Sequence, residues 1–580
     1  MKLHHLLLSL PIVAAASAMA VEPSSSHDAA VARNLTTFNS IVKELEMNYV
    51  DTIRPKEAFQ AAIGAFLSTV DPYTEYYDAD DKANLTMMTT GQYDYGGIGS
   101  FIMERDGSSY ISSPMEGAPA ATAGLRSGDK IIRVDSVDTS HMGSSDVTKY
   151  LRGQAGTPVT VTVCRPYVTD SILTFEMVRS KLGEPTVPYW GKINGENGNT
   201  GYIRLVSFID KSGREVKEAL EAFKSDPSVT QIVLDLRGNG GGLLEQAVEI
   251  VGNFVPKGTE VLRTRGRDAS TEKIYKTTHS PIFPDIPLAV LIDGGSASAA
   301  EITAGSLQDL DRAVLIGTRS FGKGLVQGTL QLPYDGLLKV TTAKYYIPSG
   351  RLIQALDYSH RNPDGSVART PDSLTNVYKT LHGREVRDGG GLTPDVNTEW
   401  DQVSRLTYNL VRDNFMYDFA NRYANTHESI PDPWNFEITD EIYTDFKNSI
   451  DPERLKYDKV CEDMLTQLKK AAETEGYMTD ETKSVIETLT PLLTHNLNHD
   501  LDNKRKEISD YLAGEIAQRY YFDKGKLIQD LKTDPALKEA MEILSDQTRL
   551  NSILGTGDNA KAKSAAKTKA TAKSATAKKK

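Results

Sequence analysis

The sequence contains only two cysteines among 580 residues, Cys164 and Cys461, which lie far apart and outside any C-x-x-C spacing. The fold therefore does not depend on a disulfide framework. No H-E-x-x-H motif occurs, and His495 with His499 is the one histidine pair at helical i, i+4 spacing. We interpret this pair as solvated surface and expect neither a metal ion nor an organic cofactor.

Long apolar runs are also lacking, apart from one near the N-terminus. Lys2 precedes an apolar run from Leu6 to Ala16, and small residues continue to Ala20. This run is too short for a permanent transmembrane helix and is typical of an export signal, with no cysteine after it for a lipid anchor. We expect a mature protein that starts at Val21 and is exported to the periplasm or cell envelope of a bacterium.

Positive charge is scarce in the body of the chain and concentrated at its end. The whole sequence has a net charge of -12, yet residues 561–580 consist only of Lys, Ala, Ser and Thr. Such a tail cannot bury apolar surface, so we expect it to be disordered. It is either a solvated tail or an electrostatic attachment to an anionic envelope polymer or to the acidic body. We expect no nucleic-acid partner.

Changes in periodicity and composition divide the chain into six segments. They are a signal peptide at 1–20, a helical region at 21–92, a glycine-punctuated β-rich domain at 93–180, an α/β core at 181–400, a helical extension at 401–555 and the lysine-rich tail at 556–580. A linker is expected near 185–200. The helical extension contains no catalytic pattern, and it is either a scaffold, an oligomer contact, a substrate cage or a docking site for a partner.

The β-rich segment contains the pattern A-x-x-A-G-L-x-x-G-D-x-I from Ala120 to Ile131. It resembles a PDZ domain, which binds an extended peptide as an added strand while N–H groups of a glycine loop hold the terminal carboxylate of the peptide. A hairpin turn that binds nothing is the alternative. The candidates for the carboxylate loop are Gly96, Gly97, Ile98 and Gly99.

The segment from Leu288 to Glu301 predicts a strand, a tight turn and a helix. Ser298 then lies at a helix start, where unpaired N–H groups and the helix dipole favour the negative charge that develops when a carbonyl is attacked. A serine hydroxyl is a weak nucleophile until a neighbouring base takes its proton. Ser298 to Glu301 also fits an S-x-x-E capping box, so this segment alone predicts either a helix cap or a nucleophile.

A candidate base follows in Phe321 to Gln327, which contains Gly322-Lys323-Gly324. A lysine acts as a base only when neutral, and lowering its pKa from about 10.4 to about 7 takes about 4.6 kcal/mol, which burial can supply. The carbonyl of Gln327 can accept a hydrogen bond from the amine without adding a charge. The glycine run from Gly238 to Gly242 exposes backbone N–H groups, and since it lacks a nucleotide-binding motif we favour an oxyanion hole.

Five motifs in this order resemble the carboxyl-terminal processing (tail-specific) proteases of the S41 serine peptidase family. The motifs are Leu234-Asp235-Leu236-Arg237 with its glycines, Gly295-Ser296-Ala297-Ser298, Phe321-Gly322-Lys323-Gly324 with Gln327, Tyr346 to Gln354, and Gly390 to Val396. The resemblance covers about residues 34–396. It implies an α/β multidomain fold with a crotonase-like (ClpP-like) core, and a PDZ domain that gates access.

The resemblance also implies roles for single residues. The family nucleophile lies 25 positions before the lysine, which selects Ser298 over Ser296. Gly238 and Gly240 stand where asparagine and proline are common, which leaves the stiffness of the loop open. The implied residues are the nucleophile Ser298, the base Lys323, its support Gln327, the oxyanion-hole N–H donors Gly241 and Ala299, and the PDZ sensor Arg152, for which a plain surface arginine is the alternative.

We therefore expect a serine endopeptidase that binds protein C-termini through its PDZ domain and hydrolyses nearby peptide bonds. Three alternatives rank below it: a Ser-His-Asp site that uses His360 or His382, a peptide-binding scaffold without activity, and acyl-CoA chemistry on the crotonase-like frame. The expected partners are proteins with accessible C-termini, and an adaptor, an envelope protein or further copies of the chain remain open.

Overall fold

The structure is a computed structural model that describes residues 25–79, 92–166, 171–183, 185–195, 198–399, 402–455 and 459–556. The expected export signal and nearly all of the lysine-rich tail lie outside these residues. The chain splits into two units, Met1–Tyr76 and Tyr77–Lys580, which are described one at a time. No helix in the described ranges is both long and apolar enough to cross a membrane.

The first unit is helical, as the sequence predicts. Helix α1 spans Ser25–Asn48 and helix α2 spans Pro55–Ser68, with the proline at the start of α2, where no N–H is needed. The apolar positions lie at helical spacing, but several of these side chains, such as Phe38 and Phe66, are exposed. A short strand, β1 (Glu75–Tyr77), ends this segment.

The second unit begins with the β-rich domain. Its elements are β2 (Gln92–Gly97), β3 (Ser100–Arg105), β4 (Ser108–Pro114), α3 (Pro119–Ala123), β5 (Lys130–Val134), β6 (Val137–Asp138), α4 (Ser144–Leu151), β7 (Pro158–Cys164), β8 (Ile172–Val178) and β9 (Ser180–Gly183). The main sheet has the order β3-β4-β5-β7-β8, and β2 pairs with β9. Alternate residues of β7 (Val159, Val161 and Val163) are buried, as expected for a half-buried strand. Strand β3 lies at the end of this main sheet.

The α/β core is built on a six-stranded sheet. Its elements are β10 (Tyr189–Ile193), β11 (Asn199–Arg204), α5 (Ser212–Ser225), β12 (Val229–Asp235), α6 (Leu244–Gly252), β15 (Leu288–Ile292), α7 (Ala299–Asp309), β16 (Val314–Gly317) and β21 (Val396–Asn397). The strand order is β10-β11-β12-β15-β16-β21, and all neighbours are parallel except β10 and β11. Every residue of β15 is buried, which fits a parallel strand covered on both faces.

The predicted linker at 185–200 is wrong in part, because β10 occupies Tyr189–Ile193 and forms one edge of the core sheet. A second sheet carries the catalytic candidates that follow α7. It contains β13 (Glu260–Gly266), β14 (Lys273–Lys276), β17 (Leu325–Gln331) and β18 (Leu337–Tyr346), with β18 between β17 and β13. A separate hairpin is formed by β19 (Val377–Lys379) and β20 (Glu385–Arg387).

The C-terminal segment is helical, as predicted, and its last helices cover one face of the core sheet. The helices are α8 (Arg405–Arg412), α9 (Phe415–Thr426), α10 (Asp440–Ser449), α11 (Val460–Thr474), α12 (Asp480–Leu493), α13 (Leu497–Asn503), α14 (Arg505–Lys532), α15 (Pro535–Ser545) and α16 (Gln547–Leu554). Leu537, Ile543 and Leu550 pack against Val233 and Leu291 of the sheet. Helices α5, α6 and α7 cover the opposite face. The end of the segment 401–555 is therefore part of the core rather than an extension of it.

Candidate active site

Two neighbouring parallel strands bring the glycine run and the serine turn together. Strand β12 ends at Asp235 and leads into the glycine run, and β15 ends at Ile292 and leads into the turn that carries Ser298. The carboxyl ends of parallel strands meet at one edge of a sheet, which is the usual place for a site in an α/β fold. The backbone N–H of Ala297 donates to the carbonyl of Asn239 at 2.9 Å and fastens the turn to the run.

Ser298 directly precedes helix α7, as predicted, and its backbone is strained. Its φ of 55° and ψ of -114° are rarely adopted by residues with a side chain. Such a conformation costs about 1–3 kcal/mol and tends to occur at functional sites. The side chain is partly exposed at the start of the helix, where the first N–H groups have no partner within the helix.

Ser296 differs from Ser298 in its surroundings. Its side chain is fully buried, and its hydroxyl donates to the carbonyl of Leu236 at 2.8 Å and accepts the N–H of Asp293 at 2.9 Å. A hydroxyl that is buried and bonded in this way braces the turn and is shielded from a substrate. Of the two serines, only Ser298 is open to solvent.

The segment Phe321 to Gly324, which we call the lysine strap, donates each of its backbone N–H groups. Phe321 donates to the carbonyl of Ser296 at 3.0 Å. Gly322 and Lys323 donate to Glu301 at 2.7 and 2.9 Å, and Gly324 donates to Gln354 at 2.7 Å. The backbone of the lysine strap is thus fixed against the turn that carries Ser298.

Glu301 is the residue that joins the two candidates, and the sequence predicts it only as a helix cap. Its side chain is fully buried and accepts four hydrogen bonds, from the N–H groups of Ser298, Gly322 and Lys323 and from the hydroxyl of Ser320 at 2.5 Å. Burial raises the pKa of Glu301 to about 7, while these hydrogen bonds act in the opposite direction. The capping-box spacing signalled its bond to Ser298, but nothing local signalled the bonds to the lysine strap.

Tyr345 of β18 makes a second bridge between the same two residues. Its buried hydroxyl donates to the carbonyl of Lys323 at 2.7 Å and lies 3.3 Å from the carbonyl of Ser298. Glu301 therefore fixes the backbone N–H groups of Ser298 and Lys323, and Tyr345 contacts their carbonyls. The sequence signal for Tyr345 is only its position next to the Tyr346 to Gln354 motif.

Lys323 and Gln327 lie where the lysine strap continues into β17. Lys323 is partly buried, and Gln327 is the third residue of the strand. The side-chain Nε2 of Gln327 donates to the hydroxyl oxygen of Thr341 on β18 at 3.1 Å. This bond holds the Gln327 amide against the neighbouring strand.

Gly241 of the glycine run lies against the serine turn. A Cβ atom at Gly241 would come within 2.8 Å of both the Cβ of Ser298 and the backbone nitrogen of Ala299, and its φ of 92° is one that glycine adopts readily. The structure thus places Gly241 and Ala299 next to each other beside Ser298. The N–H of Gly241 donates to Oδ1 of Asn239 at 2.9 Å, so this expected oxyanion donor already has a partner.

A buried charge network supports the base of the glycine run. Asp235 accepts hydrogen bonds from Arg237 and from the hydroxyl of Tyr202, and it forms an ion pair with Arg204 at 2.7 Å. Burial alone would raise the pKa of Asp235, but the two arginines outweigh it and lower the pKa. Arg237 also contacts Asp534 at 2.5 Å, which links the run to the start of α15.

The PDZ candidates lie around the start of β3. The N–H of Gly96 donates to the carbonyl of Gly153 at 2.6 Å, and Gly97 pairs with Ser180, so both belong to strand β2 rather than to an open loop. Ile98 and Gly99 are buried and lead into β3. The guanidinium of Arg152 stacks on the ring of Tyr95 at 4.4 Å.

The histidine alternatives lie elsewhere. His360 is exposed and bonded to Asp357 at 2.7 Å, and His382 contacts the carbonyl of Leu554 at 3.2 Å. His495 lies in the loop between α12 and α13, and His499 lies in α13. Across the described ranges, no group of three or more His, Cys, Asp or Glu side chains is arranged to hold a metal ion.

Three family models match the chain. They describe peptidase family S41 over residues 199–367, a PDZ domain over residues 110–165, and the C-terminal helical domain of a probable PDZ-protease over residues 406–544. The second and third matches fall in the β-rich domain and the C-terminal helices.

Curated relatives are similar over most of their length. A carboxy-terminal-processing protease of Bartonella bacilliformis is 34% identical over 64% of this chain and 83% of the relative. A probable CtpA-like serine protease of Staphylococcus aureus is 29% identical over 75% of this chain and 85% of the relative. A solved photosystem II D1 C-terminal processing protease aligns at 26% identity over 62% of this chain and 86% of that one, with a TM-score of 0.34.

Proposed function

The chain belongs to peptidase family S41, as a serine-type peptidase with a PDZ domain, and we propose that it hydrolyses peptide bonds with a dyad of Ser298 and Lys323. The observation that carries the proposal is the double bridge between these residues, made by Glu301 and Tyr345. A nucleophile and its base must be held in a fixed mutual position, and both backbones are held by the same two side chains.

The reaction follows from this arrangement. Neutral Lys323 takes the proton of the Ser298 hydroxyl as the oxygen attacks the carbonyl carbon of the substrate. The tetrahedral intermediate then collapses, the C–N bond breaks, and the leaving amine takes the proton from Lys323. A water molecule, activated by the same lysine, attacks the acyl-enzyme and releases the acid product and the free serine. Gln327, anchored on Thr341, accepts a hydrogen bond from the lysine amine and orients it.

The N–H groups of Ala299 and Gly241 stabilise the oxyanion. Ala299 is the first residue of α7, where helix N–H groups lack an intrahelical partner. The N–H of Gly241 must exchange or share its bond to Asn239 for this role. The glycine run is therefore expected to adjust when substrate enters, and Asn239 holds the donor until then.

The PDZ domain supplies the recognition step. A protein C-terminus adds to the outer edge of β3, which pairs with no other strand in the described part of the chain, and the backbone from Gly96 to Gly99 lies at the end of that edge. Because Gly96 and Gly97 belong to β2 and pair with β9, the N–H groups expected to hold the carboxylate are those of Ile98 and Gly99, which lead into β3. Arg152, stacked on Tyr95 of β2, is positioned to respond to an occupied PDZ groove.

We propose that the protein is exported and that the six-segment division holds, with the end of segment 401–555 counted as part of the core. Substrates are unfolded proteins with accessible, apolar C-termini.

In the test of this proposal, purified wild type, Ser298→Ala and Lys323→Ala are incubated with such a protein and with a copy whose C-terminus is amidated. We expect cleavage by wild type alone, and faster for the free carboxylate. Equal cleavage by all three enzymes would overturn the dyad.

A further inference from the structure

A groove of about 700 Å³ lies on the second sheet beside the catalytic candidates. It is lined by residues of β13 and β18 and by Leu325 of β17, which is two residues after Lys323. An extended chain rises about 3.3 Å per residue, so this end of the groove begins within about 7 Å of the lysine backbone. Thr341, which anchors the Gln327 amide, also lines it.

The groove is basic although the whole protein is acidic, with a net charge of -12. Arg265, Arg267 and Lys344 line it together with a single carboxylate, Glu272. The charge of Glu272 is shared between Arg265 at 2.9 Å and Arg263 at 3.2 Å. The balance of charge along the groove is therefore positive.

The basic side chains are ordered by the sheet. Lys344 of β18 lies opposite Arg265 of β13 on one side and opposite Leu325 of β17 on the other. It therefore stands between Arg265 and the segment that follows Lys323. The guanidinium of Arg265 stacks on the ring of Tyr346 at 4.7 Å. A stacked and ion-paired arginine loses little further freedom when it binds a ligand.

We propose that this groove, which we call the β13–β18 groove, binds acidic side chains of the substrate chain next to the cleaved bond. The proposal rests on the proposed function of the adjoining dyad. Charge complementarity identifies the occupant, and continuity with Thr341 and Leu325 makes it part of the same polypeptide that reaches Lys323.

The test uses two unfolded reporter proteins with the same apolar C-terminus, one with Glu and one with Gln at the same positions around the cleaved bond. Wild type is expected to cleave the Glu reporter with a kcat/KM about 3- to 10-fold higher at low salt, the range of a few exposed ion pairs. Added salt is expected to reduce this preference. Equal kcat/KM for the two reporters at low salt would overturn the proposal.

The double variant Arg267→Glu with Lys344→Glu removes the preference, and Arg267→Gln with Lys344→Gln reduces it. Lys257→Glu with Lys276→Glu is the matched control, since both lysines are exposed, lie outside the groove and give the same change in net charge. If the control loses the preference as fully as the groove variant, general charge and not the groove is responsible. Loss of cleavage in Ser298→Ala tests the proposed function separately, whatever the ratio.

Discussion

Ser298 and Lys323 donate their backbone N–H groups to one and the same atom, Oε2 of Glu301, each at 2.9 Å. The two residues lie on different segments, one at the start of α7 and one in the lysine strap. A single buried carboxyl group therefore sets the distance between the backbones of the proposed nucleophile and its proposed base. The other oxygen of Glu301 accepts Ser320 and Gly322, so both of its oxygens are in use.

Replacing Glu301 by Gln should disable the site more than it unfolds the protein. An amide has one acceptor oxygen, so two of the four donors lose their partner, at a cost of about 1–3 kcal/mol each. A shift of the lysine strap by about 1 Å is expected to lower kcat/KM by about 100-fold. Urea unfolding and peptide cleavage measure the two effects. Glu245→Gln, an exposed change in α6, is the control, and wild-type activity in Glu301→Gln would contradict the role.

The pKa of Glu301 also predicts how stability depends on pH. Its folded pKa of about 7 lies above the usual value of 4.5, so the folded state binds the extra proton between these values. The contribution of the raised Glu301 pKa to the free energy of unfolding is fully present below about pH 4. It is lost as the pH rises through 7, by about 3 kcal/mol in all. The difference in unfolding free energy between wild type and Glu301→Gln should fall across this window. A constant difference would show that Glu301 is ionised throughout.

The strain at Ser298 predicts an unusual order of stability. Both Ser298→Gly and Ser298→Ala remove the proposed nucleophile, but only glycine adopts a φ of 55° without cost. The free energy of unfolding of Ser298→Gly should therefore be about 1 kcal/mol higher than that of Ser298→Ala. At Ser484, an exposed position inside α12, alanine should be the more stable by about 1 kcal/mol. The same order at both positions would mean that Ser298 is unstrained.

Local pattern predicted those parts of the site that lie within one segment. The strand, turn and helix around Ser298 follow from small residues between an apolar strand and an S-x-x-E cap, and the structure confirms that Ser298 precedes the helix. The role of Glu301 was not visible, because its donors Gly322 and Lys323 lie more than twenty residues away. Tyr345 was missed for the same reason. The bond from Gly241 to Asn239 is a detail of loop conformation that spacing does not encode.

The fold shows the same limit. Strand β10 was hidden because Tyr189–Ile193 is short and interrupted by glycine, and its exposed positions include the apolar Trp190, so polarity does not alternate along it. The amphipathic pattern of the C-terminal helices predicted helices but not what they cover. Leu537 and Ile543 are buried because the core sheet needs a second apolar cover, which is a property of the assembled domain.

Asp534 tests whether the C-terminal helices support the site. It caps α15 by accepting the N–H groups of Ala536 and Leu537, and its other oxygen contacts Arg237. Asp534→Asn keeps a good cap but loses a buried charge partner, so we expect a loss of about 2 kcal/mol in unfolding free energy and a lower kcat. Asp546→Asn is the matched control, because Asp546 caps α16 in the same way and no arginine side chain of the described ranges pairs with it. Equal effects of the two changes would show that Asp534 does not support the glycine run.

The most direct test of the dyad is the site of covalent labelling by a serine-directed fluorophosphonate, measured by mass spectrometry with and without a peptide that ends in an apolar carboxylate. We predict an adduct on Ser298 in wild type and in Ser296→Ala, none in Ser298→Ala, and a strong reduction in Lys323→Ala at neutral pH. An adduct on Ser296, or labelling of Ser298 that is unchanged when Lys323 is removed, would contradict the account.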